Sequence, residues 1–206
     1  MTQAVEVTES LLTALQQRWR EHGLPISRHL RPGLPDDAMD SLTAPLGLSL
    51  PGEARRWWGW HDGVEVDGVT LARDRAMTGT GFGNLSLAEA VSEARARRQH
   101  AAEAAGDEAE RLWQPTWMPF AVNSGGGVAA FDCARPEVLR TPIHVIDWHR
   151  SAPNDLHGPQ APSLGLVVEW WIEAFDSGAY RYDSGRAVLE RRDELVPAEA
   201  TATWLV

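Results

Sequence analysis

A run of glycines between two apolar segments is the feature that most constrains how this chain folds. Residues 115–132 read PTWMPFAVNSGGGVAAFD, with large apolar side chains on both sides of the glycines. Glycine adopts backbone conformations that other residues resist, so the pattern predicts a β-hairpin. A phosphate-binding loop would need a helix directly after the glycines, usually opened by Lys-Ser/Thr. Here a strand-like segment follows, and the protein contains no lysine.

Apolar residues recur at helical spacing in several other segments. The spacing predicts helices over residues 7–21, 35–44 and 51–61. Ser86 and Glu89 form the Ser-x-x-Glu pattern of a capping box, which predicts a long helix from Leu87 to about residue 105. The clearest pattern follows Ser163, because residues 164, 167, 168, 171 and 175 are apolar and Gly178 is placed to end the helix.

Extended segments alternate with these helices. Residues 64–72 read VEVDGVTLA, which predicts a second hairpin about its Asp-Gly pair. Residues 79–84 read as a loop, 141–149 as a strand and 179–185 as extended, while 186–196 carry no decisive pattern. The sequence therefore predicts one α+β domain over residues 1–206.

The charge balance restricts the partners. The formal net charge is −10, and a field of this sign repels nucleic acids and anionic lipid surfaces while speeding encounters with basic proteins. No apolar run is long enough to span a bilayer, and the first ten residues do not resemble a secretory signal. Cys133 is the only cysteine, which agrees with a reducing compartment. We therefore expect a cytoplasmic protein that binds neither nucleic acid nor membrane.

Three motifs in order resemble one family. The first is the LP-led helix LPGEARRWWGWHDG, the second is WMPFAVNSGGGVAAFD, and the third is the strand HVID followed by APSLGLVVEWWIEAFDSGAY. Together they resemble the SUKH superfamily, which comprises fungal cell-wall-assembly regulators of the Smi and Knr type and bacterial proteins associated with immunity to toxins. The resemblance covers residues 33–182, so 1–32 form an N-terminal helical addition and 183–206 a C-terminal extension. The helix from Leu87 is longer than a minimal member requires.

The resemblance implies a mixed α+β fold with a mainly antiparallel sheet and helices packed against it. It also implies binding as the activity, because the family offers no catalytic residues to carry over. We therefore expect no catalytic site, no cofactor and no bound metal.

Two chemical alternatives are visible in the sequence. His144, Asp147 and His149 are residue types that bind zinc or iron, but alternation along a strand places His144 opposite the other two. Cys133 with a histidine could form a nucleophile and base, although its surroundings match no nucleophile motif and lone cysteines are usually buried. His61 and Asp62 fit a helix end better than a catalytic dyad.

The ten tryptophans suggest a docking surface. Neighbouring helix positions lie about 100° apart, so Trp170 is expected to point away from the core if Trp171 faces it, unless a second packing layer covers both. A partly exposed tryptophan beside carboxylates is typical of a binding hot spot. The predicted partner-binding residues are Trp60, Asp62, Glu65, Asp67, Glu169, Trp170 and Glu173.

These observations lead to one main functional hypothesis and two others. The first is an immunity protein that binds and neutralises a basic toxin domain such as a nuclease. The second is a regulatory scaffold for cell-wall or signalling proteins, as the fungal relatives suggest. The third, from another class, is a metal-dependent hydrolase that uses His144, Asp147 and His149.

Overall fold

The computed structural model describes residues 3–65, 80–103, 113–123, 125–146, 159–196 and 200. The α-helices are α1 (Glu9–Glu21), α2 (Asp36–Thr43), α3 (Gly52–Trp60), α4 (Leu87–Glu103) and α5 (Leu164–Asp176). The strands are β1 (Gly83–Asn84), β2 (Trp117–Val122), β3 (Val128–Asp132), β4 (Ile143–Ile146), β5 (Tyr180–Asp183) and β6 (Val188–Arg191). Short 3-10 helices cover Pro25–Arg28, Ala44–Leu46 and Asp193–Leu195.

The predicted α+β class is confirmed. Strands β1 to β4 form an antiparallel sheet in chain order, and β5 pairs with β6 in a separate antiparallel hairpin. The helices pack mainly on one face of the four-stranded sheet, where Phe120 and Phe131 join the large core. The opposite face carries a smaller cluster that includes Trp113 and Trp117.

The glycine-rich turn joins β2 to β3, as predicted. Asn123 organises it, because its Oδ1 accepts the backbone N–H groups of Gly125 at 2.9 Å and of Gly127 at 2.8 Å. Gly126 has a φ of +80°, which is a conformation that favours glycine. On the other side, Arg97 Nη2 donates to the Gly126 carbonyl at 2.7 Å. The turn amides thus serve the turn itself, and the predicted hairpin is confirmed.

An aromatic core joins α3 to the sheet. The Trp57 ring lies 5.8 Å from that of Phe120, and the Trp58 ring lies 5.6 Å from that of Phe131. On its other side Trp57 contacts Trp171 of α5, with ring centroids 6.3 Å apart. Large aromatic side chains bury much apolar area per residue, so α3 serves as the central helix between the sheet and α5.

The N-terminal segment lies across the start of α5. The Val5 N–H donates to Ser163 Oγ at 3.0 Å, and a side chain at Gly165 would come within 2.3 Å of the Val5 carbonyl oxygen. Further along, Arg18 Nε of α1 lies 2.6 Å from Asp176 Oδ1 of α5. The described residues before residue 33 are therefore integral to the packing around α5.

The structure corrects one sequence prediction and adds one strand that the sequence did not predict. Gly83–Asn84, predicted as loop, pairs with β2, with Gly83 opposite Val122. Residues 186–196, left unassigned, contain β6, whose Val188–Arg191 pairs with Tyr180–Asp183. Most of the predicted hairpin at 64–72 and the end of the predicted strand at 141–149 lie outside the described residues. None of the described helices combines the length and the apolar character that crossing a membrane requires.

Candidate functional site

Trp60, the first predicted hot-spot residue, ends α3 and is partly buried. Its ring lies 5.9 Å from that of Trp19 in α1 and 5.5 Å from that of Trp57. These contacts hold one side of the indole rigidly. The His61 ring also contacts it, with centroids 4.6 Å apart, and the part of the indole that stays exposed is available to a partner as an anchor.

Asp62 has a structural task that explains its place after α3. Its Oδ1 accepts the backbone N–H of Leu87, the first residue of α4, at 2.7 Å. Ser86 and Glu89 complete the predicted capping box, since Glu89 Oε2 accepts the Ser86 N–H at 2.8 Å and Ser86 Oγ accepts the Glu89 N–H at 3.2 Å. Gly63 lies so close that a side chain there would meet Ser86 N at 2.4 Å. The end of α3 thus caps the start of α4.

The residues that follow Trp60 differ in exposure. His61 is half-buried, and its Nδ1 lies 2.8 Å from the Arg31 carbonyl oxygen, so this nitrogen donates. Burial lowers the pKa of His61. Glu65 is exposed, while Asp67 lies outside the described residues. The interpretation of His61 and Asp62 as a helix end agrees with these contacts.

The prediction that the side chain of Trp170 points away from the core is wrong. Its side chain is only 5% exposed, and Trp171 beside it is 1% exposed. Both are buried because α5 is covered on more than one side, which matches a helix whose apolar residues extend around most of its circumference. Glu169 and Glu173 are exposed on the remaining face, and within the described part of the chain neither carboxylate forms an ion pair.

A surface trough crosses α3 between α1 and α2. One groove of about 470 Å³ is lined by Glu9, Leu12, Arg56, Gly59 and Trp60. A second groove of about 430 Å³ is lined by Leu34, Pro35, Asp36, Met39, Gly52, Arg55, Arg56 and Gly59. Arg56 and Gly59 belong to both grooves, so the two adjoin along α3. We call them together the α3 trough.

The two arginines of the α3 trough are neutralised by carboxylates. Arg55 donates to Asp36 at 3.1 Å and to Asp40 at 2.5 Å, and the hydrogen bond to Asp40 is the main cause that raises the pKa of Arg55. Arg56 Nη1 donates to Glu6 at 2.5 Å and also to the Val7 carbonyl. The guanidinium groups therefore add little net positive potential to the trough.

The rims of the trough are acidic. Glu9 lines the α1 side of the trough, is exposed and has no ion-pair partner among the described residues. On the α2 side Asp37, which follows the lining residue Asp36, is likewise exposed and has no ion-pair partner in the described part of the chain. Together with the three carboxylates that pair with the arginines, they give the trough a negative balance. Apolar side chains, an excess of carboxylates over guanidinium groups and the partly exposed ring of Trp60 thus meet on a single surface.

Sequence reasoning missed the buried carboxylate of Glu53. The side chain is 0% exposed, and its Oε2 accepts the N–H groups of Thr141 at 3.0 Å and Leu164 at 3.1 Å. Its Oε1 accepts the N–H of Gly165 at 3.2 Å. These donors favour the ionised carboxylate, but burial opposes them and on balance raises the pKa of Glu53. Glu53 thereby ties α3 to the start of α5 and to the segment before β4.

The structure describes Cys133 and His144, one residue from each of the two chemical alternatives. Burial raises the pKa of Cys133 to about 12, so the side chain is a thiol and not the thiolate that nucleophilic attack needs. His144 stacks on Trp117 with ring centroids 4.6 Å apart, and burial lowers the pKa of His144. Its proposed co-ligands Asp147 and His149 lie outside the described residues. The described part of the chain holds no group of three potential metal ligands.

Comparison of the sequence with protein-family models and with curated proteins returns no match. A function is therefore inferred from the chemistry of the described surface. The α3 trough is one feature of that surface, and Trp60 is the one predicted partner-binding residue among those that line it.

Proposed function

We propose that this protein is a non-catalytic binding module that neutralises a basic protein, as an immunity protein neutralises a toxin domain such as a nuclease. The observation that carries the proposal is the α3 trough, where acidic rims flank apolar side chains and the partly exposed ring of Trp60. The resemblance of residues 33–182 to the SUKH superfamily supplies the class of partner. The formal charge of −10 favours a basic partner over an acidic one.

A protein that neutralises its partner by covering the partner's active surface needs no catalytic group of its own. A nuclease binds nucleic acid through a cationic surface, and an acidic protein seated on that surface excludes the substrate. The aromatic anchor supplies desolvated contact area, while the carboxylates steer the encounter and set the orientation.

The test is coexpression with the toxin-like product of the adjoining gene. We expect rescue of cell growth and recovery of a stable complex, with affinity on the order of tenfold weaker in 0.5 M than in 0.05 M NaCl because salt screens rim charges. Recovery of housekeeping proteins, with no rescue, would instead support the regulatory scaffold. Absence of both binding and rescue would overturn the immunity role.

A further inference from the structure

We infer that the partner anchors in the α3 trough through a basic segment, which seats an apolar side chain over Gly59 between two of its own arginine or lysine residues. This inference rests on the proposed function and adds to it the place and mode of docking. It depends on Gly59, a position where the packing of the fold does not require glycine.

Four glycines illustrate the contrast. At Gly33, Gly63 and Gly165, an added Cβ would lie 1.8 Å, 2.4 Å and 2.3 Å from the nearest backbone atoms, so close packing excludes any side chain. At Gly59 the nearest atoms would be Met39 Cε at 3.6 Å and the Leu34 carbonyl oxygen at 3.8 Å, which are ordinary contacts. Alanine would fit there.

Gly59 also lies within a helix and is exposed. Glycine is a poor residue for an exposed helix position because it loses the most backbone freedom on folding. Its visible effect is to keep the floor of the trough at the level of the backbone. A side chain at this position would fill the space where the two grooves adjoin, so the glycine preserves a cleft at the expense of helix stability.

The surroundings of the cleft select its occupant. Trp60 on one side and Leu34 on the other are partly exposed and offer apolar contact, above the buried side chains of Leu12 and Met39. The charged residues that line the trough are Glu9, Asp36, Arg55 and Arg56. Glu6 and Asp40 pair with the two arginines, and Asp37 follows Asp36 in the exposed first turn of α2, so five carboxylates lie in or beside the trough against two guanidinium groups. An apolar anchor flanked by cations satisfies both conditions, whereas an acidic or wholly polar segment fails at least one of them.

The experiment measures stability and docking in the same variants. Gly59→Ala should raise Tm by about 2–4 °C through helix propensity, yet weaken docking by about fivefold because the methyl group takes the space of the anchor. Ser92→Ala is the matched control, since Ser92 is exposed on α4 and alanine stabilises that helix in the same way. It should raise Tm and leave docking unchanged.

Docking is read by photo-crosslinking in cells of the source organism, with a benzophenone amino acid placed in the full chain at Glu9, Asp37, Glu173 or Glu190. We expect crosslinks from the Glu9 and Asp37 positions to an arginine- or lysine-rich segment of one protein. Their yield should fall about fivefold in Gly59→Ala and stay constant in Ser92→Ala.

The outcomes separate the inference from the proposed function. Crosslinks from Glu173 or Glu190 without any from the trough positions would overturn the docking site and leave the binding function intact. An unchanged yield in Gly59→Ala, or an acidic crosslinked segment, would overturn the anchoring mode. Absence of crosslinks at all four positions would overturn both the site and the proposed function.

Discussion

Replacement of Glu53 by glutamine tests how much the buried carboxylate contributes to the fold. Glutamine has nearly the same shape, but only one of its two terminal atoms accepts hydrogen bonds. In the native protein Oε2 accepts from Thr141 and Leu164 while Oε1 accepts from Gly165. In either orientation of the amide, at least one buried N–H therefore faces an NH₂ group and loses its acceptor.

The expected loss of stability follows from these contacts. A buried N–H without an acceptor costs about 1–3 kcal/mol, and the remaining N–H groups keep weaker hydrogen bonds to a neutral acceptor. The lower desolvation cost of the neutral amide opposes this weakening and outweighs it, because burial on balance raises the pKa of Glu53. The lost acceptor remains, so we expect Glu53→Gln to lower the free energy of unfolding by about 1–3 kcal/mol, out of the roughly 5–15 kcal/mol typical of a domain.

Urea unfolding followed by tryptophan fluorescence measures this quantity directly. Glu173→Gln provides the control, because it makes the same chemical change on an exposed residue and should alter stability by less than about 0.5 kcal/mol. If Glu53→Gln lowers the free energy of unfolding by less than about 1 kcal/mol, the three backbone hydrogen bonds of Glu53 contribute little to holding α3 against α5 and the segment before β4.

Three further predictions concern single side chains. Burial lowers the pKa of His144, so as pH falls below about 6.5 the imidazole is protonated in the unfolded chain before it is protonated in the folded protein, and the free energy of unfolding decreases. His144→Phe should reduce the slope of that free energy against pH by up to about 1.4 kcal/mol per pH unit, measured by urea unfolding at pH 5 to 7.5. An unchanged slope would contradict this prediction. Asp62→Ala should cost about 1 kcal/mol in the same assay by removing the cap on Leu87, whereas a smaller loss than in Asp62→Asn would argue against capping. Trp170→Ala should cost about 3–5 kcal/mol because the side chain is buried, and a loss near that of the exposed neighbour Glu169→Ala would show that it carries no core packing.

Local signals allowed much of the fold to be predicted. The capping box at Ser86 and Glu89, the cap at Ser163 and the glycine turn before Val128 are all formed as the sequence indicated. Each of these features depends on residues within a few positions of one another, so the local sequence is enough to predict it. The α+β class follows from adding these segments together.

What the sequence did not reveal depends on contacts between distant segments. Trp170 was misplaced because the number of layers covering α5 is a tertiary property. In the sequence Glu53 is an ordinary acidic residue of a first helical turn, since the donors Thr141 and Leu164 lie 88 and 111 positions away along the chain. Strand β6 lies in a charged segment whose pairing with β5 outweighs its weak local preference.

The candidate site was predicted only in part. Trp60 is among the predicted partner-binding residues, and it lines the α3 trough. Gly59 beside it went unnoticed, because a glycine near the end of a helix usually reads as a termination signal. Only the distances from an added Cβ to Met39 and Leu34 show that this glycine leaves space unfilled.

The hydrogen bond from Val5 to Ser163 has a consequence for biosynthesis. Its two partners are separated by 158 positions along the chain, and ribosomes add about 5–20 residues per second. The leading segment therefore waits roughly 8–30 s before its binding surface on α5 leaves the ribosome. During that interval α1 can pack on α3, where Trp60 contacts Trp19, but not on α5, so part of its apolar stripe stays exposed in the nascent chain.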